Sequence, residues 1–275
     1  MIPLRQEGVY AHPRMVTDLR DCYFYQTTDL PGYGFQGGEW DLRSGIRDYL
    51  GNVDVRGKRV LEIGTANGFI CFYMEREGAS VVAYDLSDEQ DWDVVPFERS
   101  DSDAFRAERK DRIRQLNNAF WLSHRVFGSK AMMVYGDVYS VPEEIGTVDI
   151  CTFGSVLLHV RDPFLALQKA LALTSDTVIV TEALGLQDAP DRFRFYRKWL
   201  PANLRRPAQK FMPDWPSGRP NETWWRLSPE LVKQYLGVLG FERTEVSYHS
   251  QPCPHGKARM FTVVGHRTVP QRLRQ

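Results

Sequence analysis

The feature that most constrains the fold is the stretch Val60-Leu-Glu-Ile-Gly-Thr-Ala-Asn-Gly68, followed by Val81-Val-Ala-Tyr-Asp85. The first apolar run leads into a turn in which Gly64 and Gly68 are four positions apart, and the second run ends in an acid. This order predicts a strand, a tight turn, a helix and a second strand. In an α/β sheet, such a turn presents backbone amides and a helix N-terminus to a nucleoside-containing ligand.

The same alternation of apolar strands and helical patterns continues along the chain. Strands are predicted at 59–63, 80–85, 131–135, 147–153 and 176–182, with helices at 68–77, 103–127 and 162–173. This alternation is typical of a parallel sheet with helices on both faces. We therefore expect a doubly wound α/β fold with a mostly parallel sheet.

The C-terminal part of the chain predicts an antiparallel ending to this sheet. The segments 241–248 and 258–266 have strand character, and only the short connection 251–256 separates them. A helix is predicted before them over 229–239, with Ser228 as its N-cap and Pro229 at its first position.

Two segments lie outside the alternating pattern. Residues 1–50 are expected to form an N-terminal extension that covers the rest as a lid and contains a helix over 42–50, while 51–275 form the cofactor-binding domain. Within that domain, the segment 186–226 has five more positive than negative charges and eight aromatic residues. Insertions of this length are commonly functional, so we expect it to cover the substrate.

Composition excludes several classes of function. The 275-residue chain has zero formal net charge, which gives no global attraction to nucleic acid or membrane. No apolar run approaches the ~20 residues that a spanning helix needs, and the N-terminus lacks a signal peptide, so a soluble cytoplasmic protein is expected. The four cysteines show neither C-x-x-C nor zinc-type spacing, so reduced thiols and no metal are expected.

The residues at the predicted strand ends indicate which cofactor binds. A dinucleotide fingerprint G-x-G-x-x-G would require glycine where this chain has Ala66 and Phe69, which disfavours an NAD-dependent oxidoreductase. Glu62 suits a ligand with a positive group, and Asp85 suits two ribose hydroxyls. Asp137, after the third strand, suits an adenine amino group. Together these acids point to S-adenosylmethionine.

These motifs resemble the class I (Rossmann-like) methyltransferases. The resemblance rests on the E-x-G-x-x-x-G turn, the acid after the second strand and Gly136-Asp137 after the third, and it spans about 55–266. Phe153–Pro163 and Thr27–Asp41 are further similar to the branch of the tRNA wobble-uridine (carboxy)methyltransferase (CmoB). The resemblance implies a seven-stranded sheet with an antiparallel last strand and S-adenosylmethionine as the cofactor. It implies cofactor-binding roles for Glu62, Gly64, Thr65, Ala66, Gly68, Asp85, Leu86, Asp137, Val138, Gly154 and Ser155.

Two residues are candidates for the chemistry of methyl transfer. An acceptor oxygen of high pKa needs a base, and His159 is the first candidate because imidazole titrates near neutrality. The alternative is that His159 only packs under the cofactor. Glu182, at the end of the fifth strand, is the second catalytic candidate, in orienting the substrate; the alternative is a structural role.

The acceptor is predicted less specifically than the cofactor. Arginines and aromatic rings in the 186–226 segment could hold a phosphate and stack on a ring. The candidate substrate-binding residues are Trp40, Arg194, Tyr196, Arg197 and Trp224. We expect methyl transfer to oxygen or nitrogen of a small molecule, such as a natural-product or sugar-like intermediate. A tRNA substrate is the main alternative, and a non-catalytic cofactor-binding module or an oxidoreductase is more remote.

Overall fold

The fold is built on a seven-stranded sheet, which a computed structural model describes together with its surroundings for residues 8–98, 102–184, 207–216 and 222–270. The strands are β1 (Thr28–Leu30), β2 (Gly34–Gln36), β3 (Arg59–Ile63), β4 (Ser80–Asp85), β5 (Met132–Tyr135), β6 (Val148–Gly154), β7 (Thr174–Ala183), β8 (Gln209–Phe211), β9 (Trp225–Leu227), β10 (Arg243–Cys253) and β11 (Gly256–His266). The helices are α1 (Ile46–Tyr49), α2 (Phe69–Arg76), α3 (Ser102–Phe127), α4 (Pro163–Leu171) and α5 (Pro229–Val238).

The order of strands in the large sheet is β10-β11-β7-β6-β3-β4-β5. The five strands from β7 to β5 are parallel, whereas β11, the last strand of the chain, is antiparallel to β7 and β10. This architecture confirms the predicted doubly wound α/β fold with an antiparallel last strand. The predicted ends of β3 and β4 agree with the structure, and those of β5, β6 and β7 differ by at most two residues.

Alternating residues of the central strands supply two separate cores. Val60 packs with α2 and α3 on one face of the sheet, and its neighbour Leu61 packs with α4 and α5 on the other. In β4, Ala83 and Val82 divide in the same way. The period of two in a strand explains this division, because successive side chains point to opposite faces. Apolar residues are therefore needed at odd and at even positions of these strands, which is why their sequences are nearly continuous apolar runs.

The order of the strands places a crevice at one edge of the sheet. From β3 the chain moves outward through β4 to β5 and then returns to β6 on the other side of β3. The carboxyl ends of these parallel strands meet at the point where the order reverses. Ligands of open α/β sheets bind at this switch point.

The N-terminal segment shares a core with the sheet. Phe24, Leu30 and Leu42 are buried in the same cluster as residues of β3 and α3. The predicted helix over 42–50 is wrong in extent, because α1 has only the four residues Ile46–Tyr49. A turn precedes it, in which the Gly45 amide donates to the Leu42 carbonyl at 3.1 Å, and Gly51 follows with φ +62°.

The C-terminal hairpin is longer than the sequence predicts. β10 and β11 pair along their full lengths, from Arg243 with His266 to Cys253 with Gly256. Most of the predicted 251–256 connection therefore belongs to the strands. The predicted cap of α5 is confirmed, because the Ser228 side chain accepts the amide of Leu231 and Pro229 begins the helix.

No helix within the described ranges is both long and apolar enough to cross a membrane. The 26-residue α3 reaches sufficient length, but it is rich in charged residues.

Candidate active site

A cavity of about 410 Å³ opens at the carboxyl edge of β3, β4, β5 and β6. Nine of the predicted site residues line it: Gly64, Ala66, Asp85, Leu86, Asp137, Val138, Gly154, Ser155 and His159. The N-terminal segment, the segment 91–93 after β4, the middle of α3, Glu222 and further residues at the strand ends supply the rest of its described wall. A cavity of this size falls within the roughly 300–1,000 Å³ typical of small-molecule sites.

The Asp85 carboxylate joins the turns that follow β3 and β4. One oxygen accepts the Ala66 amide at 2.7 Å and the other accepts the Leu86 amide at 2.8 Å. Burial raises the pKa of Asp85, and the two amide bonds act in the opposite direction. Each oxygen keeps a further lone pair, so the oriented carboxylate can still accept hydroxyl groups from a ligand in the cavity.

Three residues of the first motif lie behind the turn and do not line the cavity. The Thr65 hydroxyl donates to one Glu62 oxygen at 2.7 Å, and the other Glu62 oxygen has no partner among the described residues. Burial raises the pKa of the Glu62 carboxyl to about 8. Gly68 caps α2 with φ +84°, and a Cβ there would lie 2.8 Å from Phe120. Gly68 is thus required by backbone conformation and packing.

The loop after β5 forms the predicted adenine side of the cavity. Asp137 accepts the amide of Tyr139 at 2.7 Å, which shapes the loop locally. The Asp137 carbonyl accepts the hydroxyl of Tyr84 at 2.8 Å and so ties the loop to β4. The neighbouring Val138 also lines the cavity.

Ala66 and Ser155 line the cavity with left-handed backbone conformations. Their φ values are 51° and 56°, in a region that costs a non-glycine residue free energy. The Ser155 amide donates to the Thr181 carbonyl at 2.7 Å, and its hydroxyl lies 3.4 Å from that of Tyr49. Strained residues held by their surroundings cluster at functional sites, which supports the assignment of this cavity.

The environment of His159 determines which ring nitrogen carries the proton. His159 ends a short 3-10 helix, Leu157–His159, and its Nδ1 lies 2.9 Å from the Glu222 carbonyl oxygen. Because a carbonyl only accepts, Nδ1 is the protonated nitrogen of the neutral ring, and Nε2 has the lone pair. Burial lowers the pKa of His159, which favours this neutral form. The ring also stacks on Trp92, with centroids 6.2 Å apart.

The second catalytic candidate, Glu182, lies beneath the His159 turn. It is 2% exposed and is not part of the cavity wall. Its carboxylate accepts the Leu157 amide at 2.7 Å and also bonds to the amides of Val156 and Leu158. Burial raises its pKa to about 8. Its contacts are those of a residue that holds the turn.

Of the five predicted substrate residues, two belong to the described part of the chain, and both lie outside the cavity lining. Trp40 lies behind the cavity wall, where its indole donates to the hydroxyl of Tyr25 at 2.9 Å. Trp224 is 7% exposed, and its indole donates to the Asp93 carbonyl. Neither lines the cavity. Arg194, Tyr196 and Arg197 lie outside the described residues.

Sequence analysis missed most of the cavity-lining residues outside the predicted cofactor-binding set. The residues missed there include Tyr23, Tyr25, Glu39, Trp92, Arg109, Arg112 and Glu222. The arginines belong to α3, where frequent charges are equally typical of a solvated helix face. The aromatic pair in Tyr23-Phe-Tyr25 was the available signal, because rings interleaved with turn residues suggest a segment that packs on something.

Comparison with known proteins gives a family match over most of the chain. A model of a protein family described as a methyltransferase domain matches residues 41–246. No curated protein matches.

Among solved structures, the N-terminal domain of EvdMO1, in a crystal structure determined in the presence of SAH and D-fucose, is 16% identical, with a TM-score of 0.50 over 90% of this chain and 92% of that one. A 1,6-didemethyltoxoflavin-N1-methyltransferase from Burkholderia thailandensis is 13% identical, with a TM-score of 0.47 over 82% and 78% of the two chains. The EvdMO1 domain supports the fold alone.

Replacing Ala66 by glycine is expected to stabilise the protein. Glycine removes the cost of the left-handed conformation but adds freedom to the unfolded chain, so we expect a net gain of about 0.5–1 kcal/mol in the free energy of unfolding. Urea denaturation measures it. The matched control is Ala107→Gly on the exposed side of α3, which should lose about 1 kcal/mol. An equal loss in both variants would contradict strain at Ala66.

Asp85→Asn is expected to weaken binding of S-adenosylhomocysteine about a hundredfold, measured by calorimetry. The amide keeps one oxygen and turns an N–H group toward a backbone N–H, so the turn loses an acceptor as well as the charge. Asp176→Asn, at the opposite end of the sheet in β7, is the control and should bind normally. Unchanged affinity in Asp85→Asn would refute the ribose assignment.

Proposed function

Because the chain belongs to the methyltransferase domain family and is an S-adenosylmethionine-dependent methyltransferase, we propose that it methylates an oxygen or nitrogen atom of a small polar molecule, with His159 as the base. The observation that carries this proposal is the contact between Nδ1 of His159, on the cavity wall, and the Glu222 carbonyl oxygen, which assigns the lone pair of the neutral ring to Nε2. Nδ1 and the Glu222 carbonyl oxygen are 2.9 Å apart, and no described residue forms a hydrogen bond with Nε2.

The cofactor side of the cavity fits the methyl donor. Asp85 offers oriented carboxylate oxygens for ribose hydroxyls, and Asp137 with Val138 and Leu86 would border the adenine. Gly64 and Ala66 would border the amino-acid part, and Gly154 and Ser155 the sulfonium. When bound, S-adenosylmethionine supplies an electrophilic methyl group.

The acceptor side fits a proton transfer to His159. As the acceptor atom attacks, its O–H or N–H bond breaks, and the proton passes to the lone pair of Nε2. The imidazolium formed has the Glu222 carboxylate near it, which favours the charge. Because Nδ1 is already bonded, the ring is oriented before the acceptor arrives, and this reduces the entropic cost of the reaction.

The dimensions and the wall of the cavity favour a small acceptor. Tyr23, Tyr25 and Glu39 of the N-terminal segment, together with Glu222, line the same cavity as His159. The wall combines aromatic rings with carboxylates, which suit a ring bearing hydroxyl groups, such as a natural-product or sugar-like intermediate. The described lining has six carboxyl groups, at Glu39, Asp85, Asp91, Asp93, Asp137 and Glu222, against the guanidinium groups of Arg109 and Arg112. This excess of acidic groups would repel a polyanion.

The finer assignment to the wobble-uridine branch makes tRNA the competing acceptor. Incubation with methyl-tritiated S-adenosylmethionine and either bulk tRNA or a small-metabolite fraction separates the two. We expect label in the small-metabolite fraction alone, and none after Asp85→Asn. Transfer of label to tRNA would overturn the small-molecule proposal.

His159→Ala is expected to lower kcat by a factor of about 10² to 10⁴ while leaving the Kd of S-adenosylhomocysteine unchanged. In the wild type, the neutral base is the active form, so kcat should rise with pH and level off near or below the ordinary histidine pKa of about 6.5. His255→Ala, in the exposed hairpin turn, is the control. Full turnover in His159→Ala would return this residue to a packing role.

A further inference from the structure

We propose that Arg109 is a positioning residue that acts on His159 through Glu222. Arg109 binds the Glu222 side chain, and the backbone of the same residue holds the Nδ1 proton of His159. The inference rests on the proposed function, in which Nε2 of His159 is the base.

The ion pair between α3 and Glu222 is the first step of this connection. Nε of Arg109 lies 2.9 Å from Oε2 of Glu222, and the two side chains are 22% and 26% exposed. The N–H of Arg109 is not directed at this oxygen as a hydrogen bond requires, so the contact is electrostatic. Partial burial reduces screening by water, so the pair is stronger than an exposed one.

A second contact links Arg109 to the other side of the histidine. Its guanidinium lies over the rings of Phe105 and Trp92, 4.7 and 5.4 Å from their centroids. Trp92 in turn stacks on His159 with an interplanar angle of 21°. Arg109 therefore contacts both the ring that stacks on His159 and the residue that accepts its proton.

The ion pair attaches Glu222 to a long helix. Glu222 has no regular secondary structure, whereas Arg109 projects from a helix of 26 residues. Two residues after Glu222, the Trp224 amide donates to the Leu158 carbonyl at 2.8 Å. The ion pair thus adds a contact with α3 at the residue whose carbonyl accepts the Nδ1 proton.

The two partners have opposite effects on the charge of His159. The charged groups that act on its ring are Glu222 and Glu39, which favour the imidazolium, and Arg109, which disfavours it. Loss of Arg109 leaves the Glu222 carboxylate uncompensated, so the pKa of His159 should rise. Loss of the Glu222 charge should lower it.

The test is ¹⁵N NMR of histidine-labelled protein saturated with S-adenosylhomocysteine, which reports the tautomer and the pKa without any acceptor. His159→Gln identifies the resonances. We expect the Nδ1–H tautomer in the wild type, a mixture of tautomers with a higher pKa in Arg109→Gln, and a lower pKa in Glu222→Gln. Arg109→Lys should restore the wild-type pKa in large part, because it keeps the charge.

Arg114→Gln is the control, because Arg114 lies on the same helix but pairs with Asp111 at 2.6 Å. Once an acceptor is known, Arg109→Gln should lower kcat about tenfold and move the acid limb of its pH profile to higher pH, because the pKa of His159 rises. An unaltered tautomer and pKa in Arg109→Gln would overturn the proposal. Normal turnover in His159→Ala would instead refute the base, and the NMR result would still decide whether Arg109 positions the ring.

Discussion

The Asp85 carboxylate and its two backbone amides are the contact on which the cavity edge beside β3 and β4 depends. The amides belong to Ala66 and Leu86, in loops that leave neighbouring strands of the sheet. This side chain thus links the two loops, beside the bond from the Gly64 amide to the Tyr84 carbonyl at 2.8 Å. The arrangement is possible because parallel strands present their carboxyl ends at one edge.

This rigid edge also allows the backbone strain observed there. Ala66 and Ser155 hold left-handed conformations on loops that begin at β3 and β6, the two strands beside the switch point. Strain persists only where the surroundings over-determine the conformation. The Ala66 amide is bound by Asp85, and the Ser155 amide by the Thr181 carbonyl of β7. Both anchors originate in buried strands, so the strain is balanced by the core of the protein.

The cavity wall around His159 is built differently, from segments that are distant in sequence. His159 follows β6, Trp92 follows β4, and Glu222 comes from the region between β7 and α5. Arg109 of α3 contacts the last two. Beneath them, the carboxylate of Glu182 binds the amides of the His159 turn and so holds the ring at its height above the sheet. The orientation of the proposed base depends on all of these contacts together.

The sequence alone determined those features that depend on residues close together in the chain. The apolar runs, Gly64, Gly68 and the acids at strand ends were sufficient for the fold and the cofactor, because strands and tight turns have short periods and specific residue requirements. Tertiary structure alone decided the rest. Glu62, Thr65 and Gly68 lie behind the cavity and not in it, because the burial of a side chain depends on the elements that pack over it. The same is true of the cavity wall around His159. In the sequence, Arg109 cannot be distinguished from the other charged residues of a solvated helix face. Only folding brings Glu222 and Trp92 beside it, and contacts between residues far apart in the chain leave no periodic pattern in the sequence.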